Sequence, residues 1–541
     1  HVLCYFIATN NTPKRIVMHW LTPLTLILAA RDILSFTAPS QVARISHSKP
    51  LVQQLSLLSQ SEIDDEIKSI QEDLPPSQLG AWIPLGSVIN LADVTPLQLT
   101  VCGLDLVVWN NKTSTKDSDN NLQYSAFVDA CPHRLAPLSQ GRINPDTGCL
   151  ECPYHGWQFD SDGALANIPQ LDDNRTIASL KQDGGATSLP VHAAGDLLFV
   201  FIPSDVCGES WPIERLPESH YPFLQDSIDK NKVYYMRDLP YSADMLLENF
   251  FDPAHIPFAH HSLQGTRDDA VPIEMKVLAN NFTHVEASFL DVSGGKDRDG
   301  VLSFQRPAFY HYRTKLNSTS TEERANLLVF VTPVSPGKCR IMMPEFIQKK
   351  WFPPFLGHAG TNRFLNSDTW LHDTERNVRT RDNPINELGG SVAVGSARAE
   401  KKPFMDMNYI FASKSDMAIS VFRKWWSTYL SESPINFYGK PPASAFTGPA
   451  LSRAQQIDPW ENHAKYCSKC RKSLRVIRKL QKGCIGIAAS TAILLRKKPI
   501  VAIASVFANL WMKTFLGKVA TLIEGNNHRS EIGDRSVAAM K

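Results

Sequence analysis

Two short stretches of the chain carry residue types that bind metal. Cys131-Pro132-His133 and Cys152-Pro153-Tyr154-His155-Gly156-Trp157 each offer one thiolate and one imidazole. Eighteen residues separate His133 from Cys152, enough chain to bring the two pairs together. Two cysteines can hold one iron of a [2Fe-2S] cluster while two neutral histidines hold the other, and exchanging thiolate for imidazole raises the potential to roughly −150 to +300 mV. The same ligand types also suit a tetrahedral zinc ion. Proline after each cysteine, glycine after His155 and Trp157 closing the second loop favour the cluster, the Rieske type of [2Fe-2S] centre.

A second constellation lies downstream, in Glu248-Asn249-Phe250-Phe251-Asp252-Pro253-Ala254-His255-Ile256-Pro257-Phe258-Ala259-His260-His261. On a regular helix Asp252 and His255 share a face. His260 lies five residues past His255, roughly 140° around, so the two imidazoles converge only if the helix ends or bends between them. Pro253 and Pro257 both remove helical hydrogen bonds there. Two histidines and one carboxylate form the facial triad of a mononuclear Fe(II) oxygenase, with open positions for dioxygen and substrate. The carboxylate expected to complete it is Asp368, on a segment from 363 to 375 that reads as a helix, with Asp373 as the competing choice. Asp252 reads as a bridge: its carboxylate, hydrogen-bonded to the distal nitrogen of His255, would orient that ring and give an electron a route from the cluster. His261 reads as an ordinary histidine, either on the surface or supporting the site from behind the ligands.

The elements that must position these residues follow from periodicity. Leu97 to Val101, Leu104 to Trp109, Tyr124 to Val128, Gln158-Phe159 and Leu197 to Ile202 read as short strands separated by turns, which predicts a small antiparallel β domain over about 80–205. Residues 206–240 read as a Pro-rich connection, and a helix is expected to begin near Ala243. Strand-like runs such as Leu327 to Thr332 and Arg340 to Met343 predict an antiparallel sheet with helices packed on it. The fold class expected is α+β: a small β domain, an α+β catalytic domain over 206–455, and a helical, membrane-associated segment over 456–541.

At 541 residues the chain is longer than one core usually organises. Apolar residues make up 43% and the net charge is +2, which argues against a general nucleic-acid binder. Ten cysteines are too sparse and unevenly spaced for a secreted disulfide scaffold. The sequons at Asn111 and Asn174 are short enough to arise by chance. The chain starts at His1 rather than a start methionine, and its first 61 residues hold Lys14, Arg15, Arg31, Arg44 and Lys49 against the single acid Asp32. That balance suits an organellar presequence, with Leu21 to Ala30 as a signal-like apolar core, or a disordered tail; residues 62–79 read as a linker.

Near the other end, Lys465 to Lys482 holds eight basic residues and no acid, followed by apolar runs at 484–495 and 500–512. Each run is shorter than the roughly 20 residues of a spanning helix, so a re-entrant hairpin or interfacial anchor is expected over two full spans. A soluble hairpin buried in an oligomer is the alternative.

With both constellations in hand, the chain resembles the Rieske non-haem iron oxygenases, in particular the plant and algal branch of pheophorbide a oxygenase, protochlorophyllide-type oxygenases and the Rieske protein of the chloroplast import translocon. The resemblance spans about 80–515. It rests on CPHRLAPLSQGR, CPYHGWQFDSDG, Ile168-Pro169-Gln170, LLENFFDPAHIPFAHH, Asp368 and the C-terminal His463-Ala464-Lys465-Tyr466-Cys467-Ser468-Lys469-Cys470. The 133–152 spacer is one residue longer than the plant proteins lead one to expect, and Asn144-Pro145-Asp146 reads as the turn that absorbs it. The resemblance implies an oxidoreductase of a plastid membrane, thylakoid or inner envelope, in chlorophyll catabolism. It implies a [2Fe-2S] cluster on Cys131, His133, Cys152 and His155, Fe(II) on His255, His260 and Asp368, ferredoxin as donor, a tetrapyrrole substrate, membrane lipid and a homotrimer. Cys467 and Cys470 are read as a redox-active dithiol, against ordinary reduced cysteines; with His463 they make three of the four ligands a structural zinc takes. Two other readings remain: a pure electron carrier, which needs only the β domain, and a redox-sensing translocon component.

Overall fold

The structure is a computed structural model. It describes residues 43–44, 79–91, 96–110, 124–171, 179–180, 184–207, 211–221, 223–291, 298–315, 323–346, 352–380, 409, 411–430 and 443–525. Of the presequence-like segment only Ala43–Arg44 is described, a two-residue strand whose backbone pairs antiparallel with Arg324 and Ala325; the linker ahead of residue 79 and both sequons lie outside the described residues.

The small β domain is built from β1 (Leu79–Ser87), β2 (Leu97–Val101), β3 (Leu104–Asn110), β4 (Tyr124–Val128), β5 (Arg142–Ile143), β6 (Leu150–Glu151), β7 (Gln158–Phe159), β8 (Leu165–Asn167), β9 (Ser188–Leu189), β10 (Val191–Ala194), β11 (Leu197–Pro203) and β12 (Trp211–Pro212). Three sheets result, in the orders β9-β4-β3-β2, β10-β11-β1-β12 and β5-β6-β7-β8. Every expected strand is present. β1 escaped sequence reading because it is buried throughout and so shows no alternation. Its Gly80 is required where it stands: a Cβ there would lie 2.1 Å from the Ile202 carbonyl oxygen. β12 carries this sheet past residue 205, into the expected connection.

The catalytic sheet begins with β13 (Tyr234–Leu239), then follows helix α1 (Ala243–Phe250) and a meander of β14 (Glu274–Asn280), β15 (His284–Asp291), β16 (Arg298–Gln305), β17 (Phe309–Lys315), β18 (Glu323–Ser335) and β19 (Lys338–Pro344). Its order is β13-β19-β18-β17-β16-β15-β14, antiparallel throughout. Alternate residues of β15 are buried, so one face of the sheet meets a core of Leu246, Phe251, Phe304, Tyr310, Phe422 and Trp425. These side chains join the sheet to α1 and, further on, to a helix over Met417–Tyr429.

Helix α2 (Pro354–Leu365) and helix α3 (Leu371–Thr380) follow the sheet, then α4 (Met417–Tyr429). The helix expected across 363–375 is broken: α2 ends at Leu365, and a single tight turn over Asn366–Asp368 precedes α3. The last two helices, α5 (Ser468–Leu494) and α6 (Pro499–Glu524), form an antiparallel hairpin. Here the expectation from the apolar runs fell short, because helical structure continues beyond them. α6 alone, among the described residues, is long and apolar enough to cross a bilayer. Its 26 residues span about 39 Å at 1.5 Å per residue.

Candidate active site

The two cluster loops are built alike. In the first, the Cys131 N–H donates to the Ala136 carbonyl (2.9 Å) and the Leu135 N–H to the Cys131 carbonyl (2.8 Å). In the second, Cys152 N–H donates to Trp157 (2.8 Å) and Gly156 N–H to Cys152 (3.1 Å). The fifth residue of each turn is left-handed, Leu135 at φ 57° and Gly156 at φ 70°. Cys131 and Cys152 sit in an apolar core with Trp109, Phe127, Leu150 and Phe159, while His133 and His155 reach the surface half-exposed. The histidine rings lie 4.7 Å apart, and Trp157 stacks on His133 at 4.6 Å. Outside the loops, Pro169 packs against Gly156 and the Gln170 amide donates to the His155 carbonyl (3.1 Å), which gives the Ile168-Pro169-Gln170 motif its work. Asn144 forms the expected turn, its side-chain oxygen accepting from the Asp146 N–H at 2.9 Å.

The second constellation assembles where α1 stops. Phe251 closes the helix, the Tyr310 hydroxyl donates to the Phe250 carbonyl (2.8 Å), and two short helical turns, Pro253–His255 and Ile256–Ala259, redirect the chain. His255 Nε2 and His260 Nε2 come within 3.3 Å, and Asp368 Oδ2 lies 3.4 Å from His260 Nε2. Asp373 is exposed on α3 and stays outside the group.

Hydrogen bonding fixes the tautomers. His255 Nδ1–H donates to the backbone carbonyl of Asp252. The Ser367 hydroxyl donates to the Phe364 carbonyl, leaving its oxygen to accept from His260 Nδ1–H at 2.8 Å. Both Nε2 atoms are therefore bare, and they face each other and the Asp368 carboxyl group. Burial lowers His255 to about 4 and His260 to about 3, keeping both neutral. Burial raises Asp368 to about 7, and its Oδ1 has no hydrogen-bond partner. Three converging lone-pair donors around an uncompensated buried carboxylate suit a single cation.

One expected contact differs. The Asp252 carboxylate stands 3.9 Å from His255 Nδ1, and its Oδ1 instead accepts from the Ala254 N–H (2.9 Å), capping the turn. The cap holds Asp252 in the conformation that lets its own carbonyl, rather than its carboxylate, take the imidazole proton. His261 is exposed, as expected. Sequence reading missed Ser367 and Phe364, whose ring stacks on His260 at 4.1 Å; only their adjacency to Asp368 could have marked them. Cys467 and Cys470 are buried and unpaired, beside His463 and a fourth side chain that the sequence did not single out, His358.

Residues 81–182 match the model of the Rieske [2Fe-2S] domain, and residues 304–384 match that of pheophorbide a oxygenase. A Rieske domain followed by this second domain supports the pheophorbide a oxygenase-like branch of the Rieske non-haem iron oxygenases. This oxygenase is 28% identical over 432 residues to the chloroplastic pheophorbide a oxygenase of Oryza sativa subsp. japonica, covering 75% of each chain. It is 29% identical to the chloroplastic protochlorophyllide-dependent translocon component 52 of Arabidopsis thaliana, covering 74% of each. It is also 25% identical to flavonoid 8-hydroxylase 2 of Ocimum basilicum, over 81% of this chain and 83% of that protein. Among solved structures, dicamba monooxygenase bound to dicamba is similar at 18% identity and TM-score 0.45, over 65% of this chain and 96% of that one. The oxygenase accordingly carries a [2Fe-2S] cluster and mononuclear iron, takes electrons from a donor and belongs to the plastid.

Proposed function

We propose that this oxygenase uses dioxygen and ferredoxin-delivered electrons to oxygenate a chlorophyll-derived tetrapyrrole, pheophorbide a or a related chlorin. The observation that carries the reading is the meeting of two bare imidazole nitrogens and a buried carboxyl group whose Oδ1 has no partner, downstream of two thiolate–imidazole loops. The pheophorbide a oxygenase match and the name of the rice relative support the substrate class. Cys131, His133, Cys152 and His155 hold the cluster in the domain over 80–205; His255, His260 and Asp368 hold iron in the domain over 206–455. An iron held by these three side chains would supply the chemistry of dioxygen activation, and the cluster loops would supply its electrons. The Asp252 carbonyl and Ser367 keep Nε2 of each histidine free for the metal, and Phe364 shields His260 from water. Asp252 is the electron bridge, its carboxylate partly exposed beside His255. Family resemblance favours a homotrimer in which the cluster of one subunit serves the iron of the next. The segment over 456–541 holds the enzyme against anionic lipid through the basic start of α5 and the apolar face of α6.

Iron and acid-labile sulfide analysis of the purified full-length protein tests the reading. About three irons per two sulfides is expected, with conversion of a chlorin in the presence of reduced ferredoxin and dioxygen. His255→Ala is expected to abolish turnover and leave the cluster's visible absorbance intact. Two irons per two sulfides would leave only an electron carrier or redox sensor, and loss of the cluster in His255→Ala would overturn the ligand assignment.

A further inference from the structure

A second group of metal-binding side chains lies away from the active site, at the start of the C-terminal hairpin. His358 comes from α2, His463 from a helical turn at Trp460–Ala464, and Cys467 and Cys470 from the first turn of α5. All four are buried, at 5%, 1%, 1% and 2% exposure, so a protein dithiol has no access to the cysteines.

Their ligand atoms form a compact polyhedron. His463 Nε2 lies 3.0 Å from His358 Nδ1 and 3.4 Å from Cys470 Sγ, and His358 Nδ1 lies 3.2 Å from Cys470 Sγ and 3.5 Å from Cys467 Sγ. A tetrahedral ion with bonds of about 2.0 Å to nitrogen and 2.3 Å to sulfur sets such edges at about 3.3–3.8 Å. These edges leave room for one ion and not for a two-iron cluster, whose histidine and cysteine ligands sit on different metals.

The other ring nitrogens are already committed. His358 Nε2–H donates to Glu345 Oε1 (3.1 Å), itself paired with Lys469 (2.7 Å), and His463 Nδ1–H donates to the Met236 carbonyl (2.6 Å). A carboxylate or carbonyl behind each imidazole, fixing its tautomer, is the usual support of a metal-bound histidine. Tyr235 stacks on the His463 ring at 4.6 Å and closes the site from the sheet side.

We propose that His358, His463, Cys467 and Cys470 bind a structural Zn²⁺ that clasps the C-terminal hairpin to α2 and β13. Four ligands on one ion leave no open position, the mark of a structural rather than catalytic site, and an S2N2 tetrahedron selects zinc. Binding takes up one Zn²⁺ and releases the thiol protons, with no redox change. The dithiol is thereby a ligand pair and not a free redox couple. α2 acts as a strut, carrying His358 to the zinc near its start and delivering Asp368 to the active site just past its end.

Metal analysis of the full-length holoenzyme decides the matter separately from the iron count, since the two metals are read independently. About one zinc per chain is expected, and X-ray absorption at the zinc edge should report two sulfur and two nitrogen neighbours. The Cys467→Ser/Cys470→Ser variant should lower zinc at least about tenfold while keeping two sulfides per chain. Wild-type protein without zinc, whether its cysteines are oxidised to a disulfide or remain reduced, would overturn the proposal. So would zinc with an oxygen-rich shell, or zinc retained in the double variant. The absorption measurement needs only wild-type protein, so the proposal stays testable if the variant fails to fold.

Discussion

Gly156 and Leu135 occupy equivalent places in the two cluster loops, yet they differ in what a side chain costs. Both are left-handed, where an ordinary residue is disfavoured by about 1–2 kcal/mol. Leu135 bears that cost with its side chain in solvent, 74% exposed. At Gly156 a Cβ would additionally sit 3.0 Å from Pro169 Cγ, pressing on the motif that covers His155. Gly156→Ala is therefore expected to lower acid-labile sulfide per chain and accelerate bleaching of the cluster, whereas Leu135→Gly should retain full cluster content. Full cluster content in Gly156→Ala would mean that neither the left-handed backbone nor the contact with Pro169 governs the loop. Most of the ligand set was legible at this scale because ligand chemistry is local: Cys-Pro-His and Cys-Pro-Tyr-His announce themselves. His358 was not, since its partners lie 105 or more residues away and no spacing rule connects them.

At the scale of elements, α6 poses the sharpest question. Ile500, Phe507 and Trp511 are 82%, 69% and 47% exposed, an apolar surface that folding of the single chain leaves uncovered. Placing a lysine at the centre of a membrane-embedded helix costs roughly 2.5–3.5 kcal/mol. Ile503→Lys with Phe507→Lys should accordingly shift the protein from the floating vesicle fraction to the soluble fraction in a flotation assay with anionic lipid. Unchanged flotation would relocate the lipid contact to the basic stretch of α5. The apolar runs hinted at this element but understated it: Lys513 and Lys518 interrupt the composition without breaking the helix, and run length tracks composition alone. Asp368 shows the opposite error. Residues 363–375 look helical throughout, but Asp368 reaches His260 only because the helix tightens for one turn there. β13 secures that turn, with Arg237 donating to the Asn362 carbonyl at 2.8 Å and to the Asn366 side chain. Such long-range stapling leaves no periodic trace in sequence.

For the whole molecule, the arrangement of the two redox centres makes a quantitative demand. His133 and His155 present half-exposed rings, and Asp252 keeps its carboxylate partly open beside His255. Exposed edges of this kind allow electrons to cross between subunits of a closed ring. Co-expressing a cluster-dead chain, Cys131→Ser, with an iron-dead chain, His255→Ala, distinguishes the routes. If each cluster serves only the iron of its own chain, no mixed assembly turns over. If it serves the next subunit of a cyclic trimer, a site works whenever an intact cluster precedes an intact iron. Random mixing of equal amounts makes that true of about one interface in four. Chlorin turnover near a quarter of wild type is then expected in the mixture, with none in either variant alone or when the purified variants are combined without exchange. Turnover absent from mixtures in which mass analysis finds both chains in one assembly would rule out the intersubunit route and confine electron flow to the single chain.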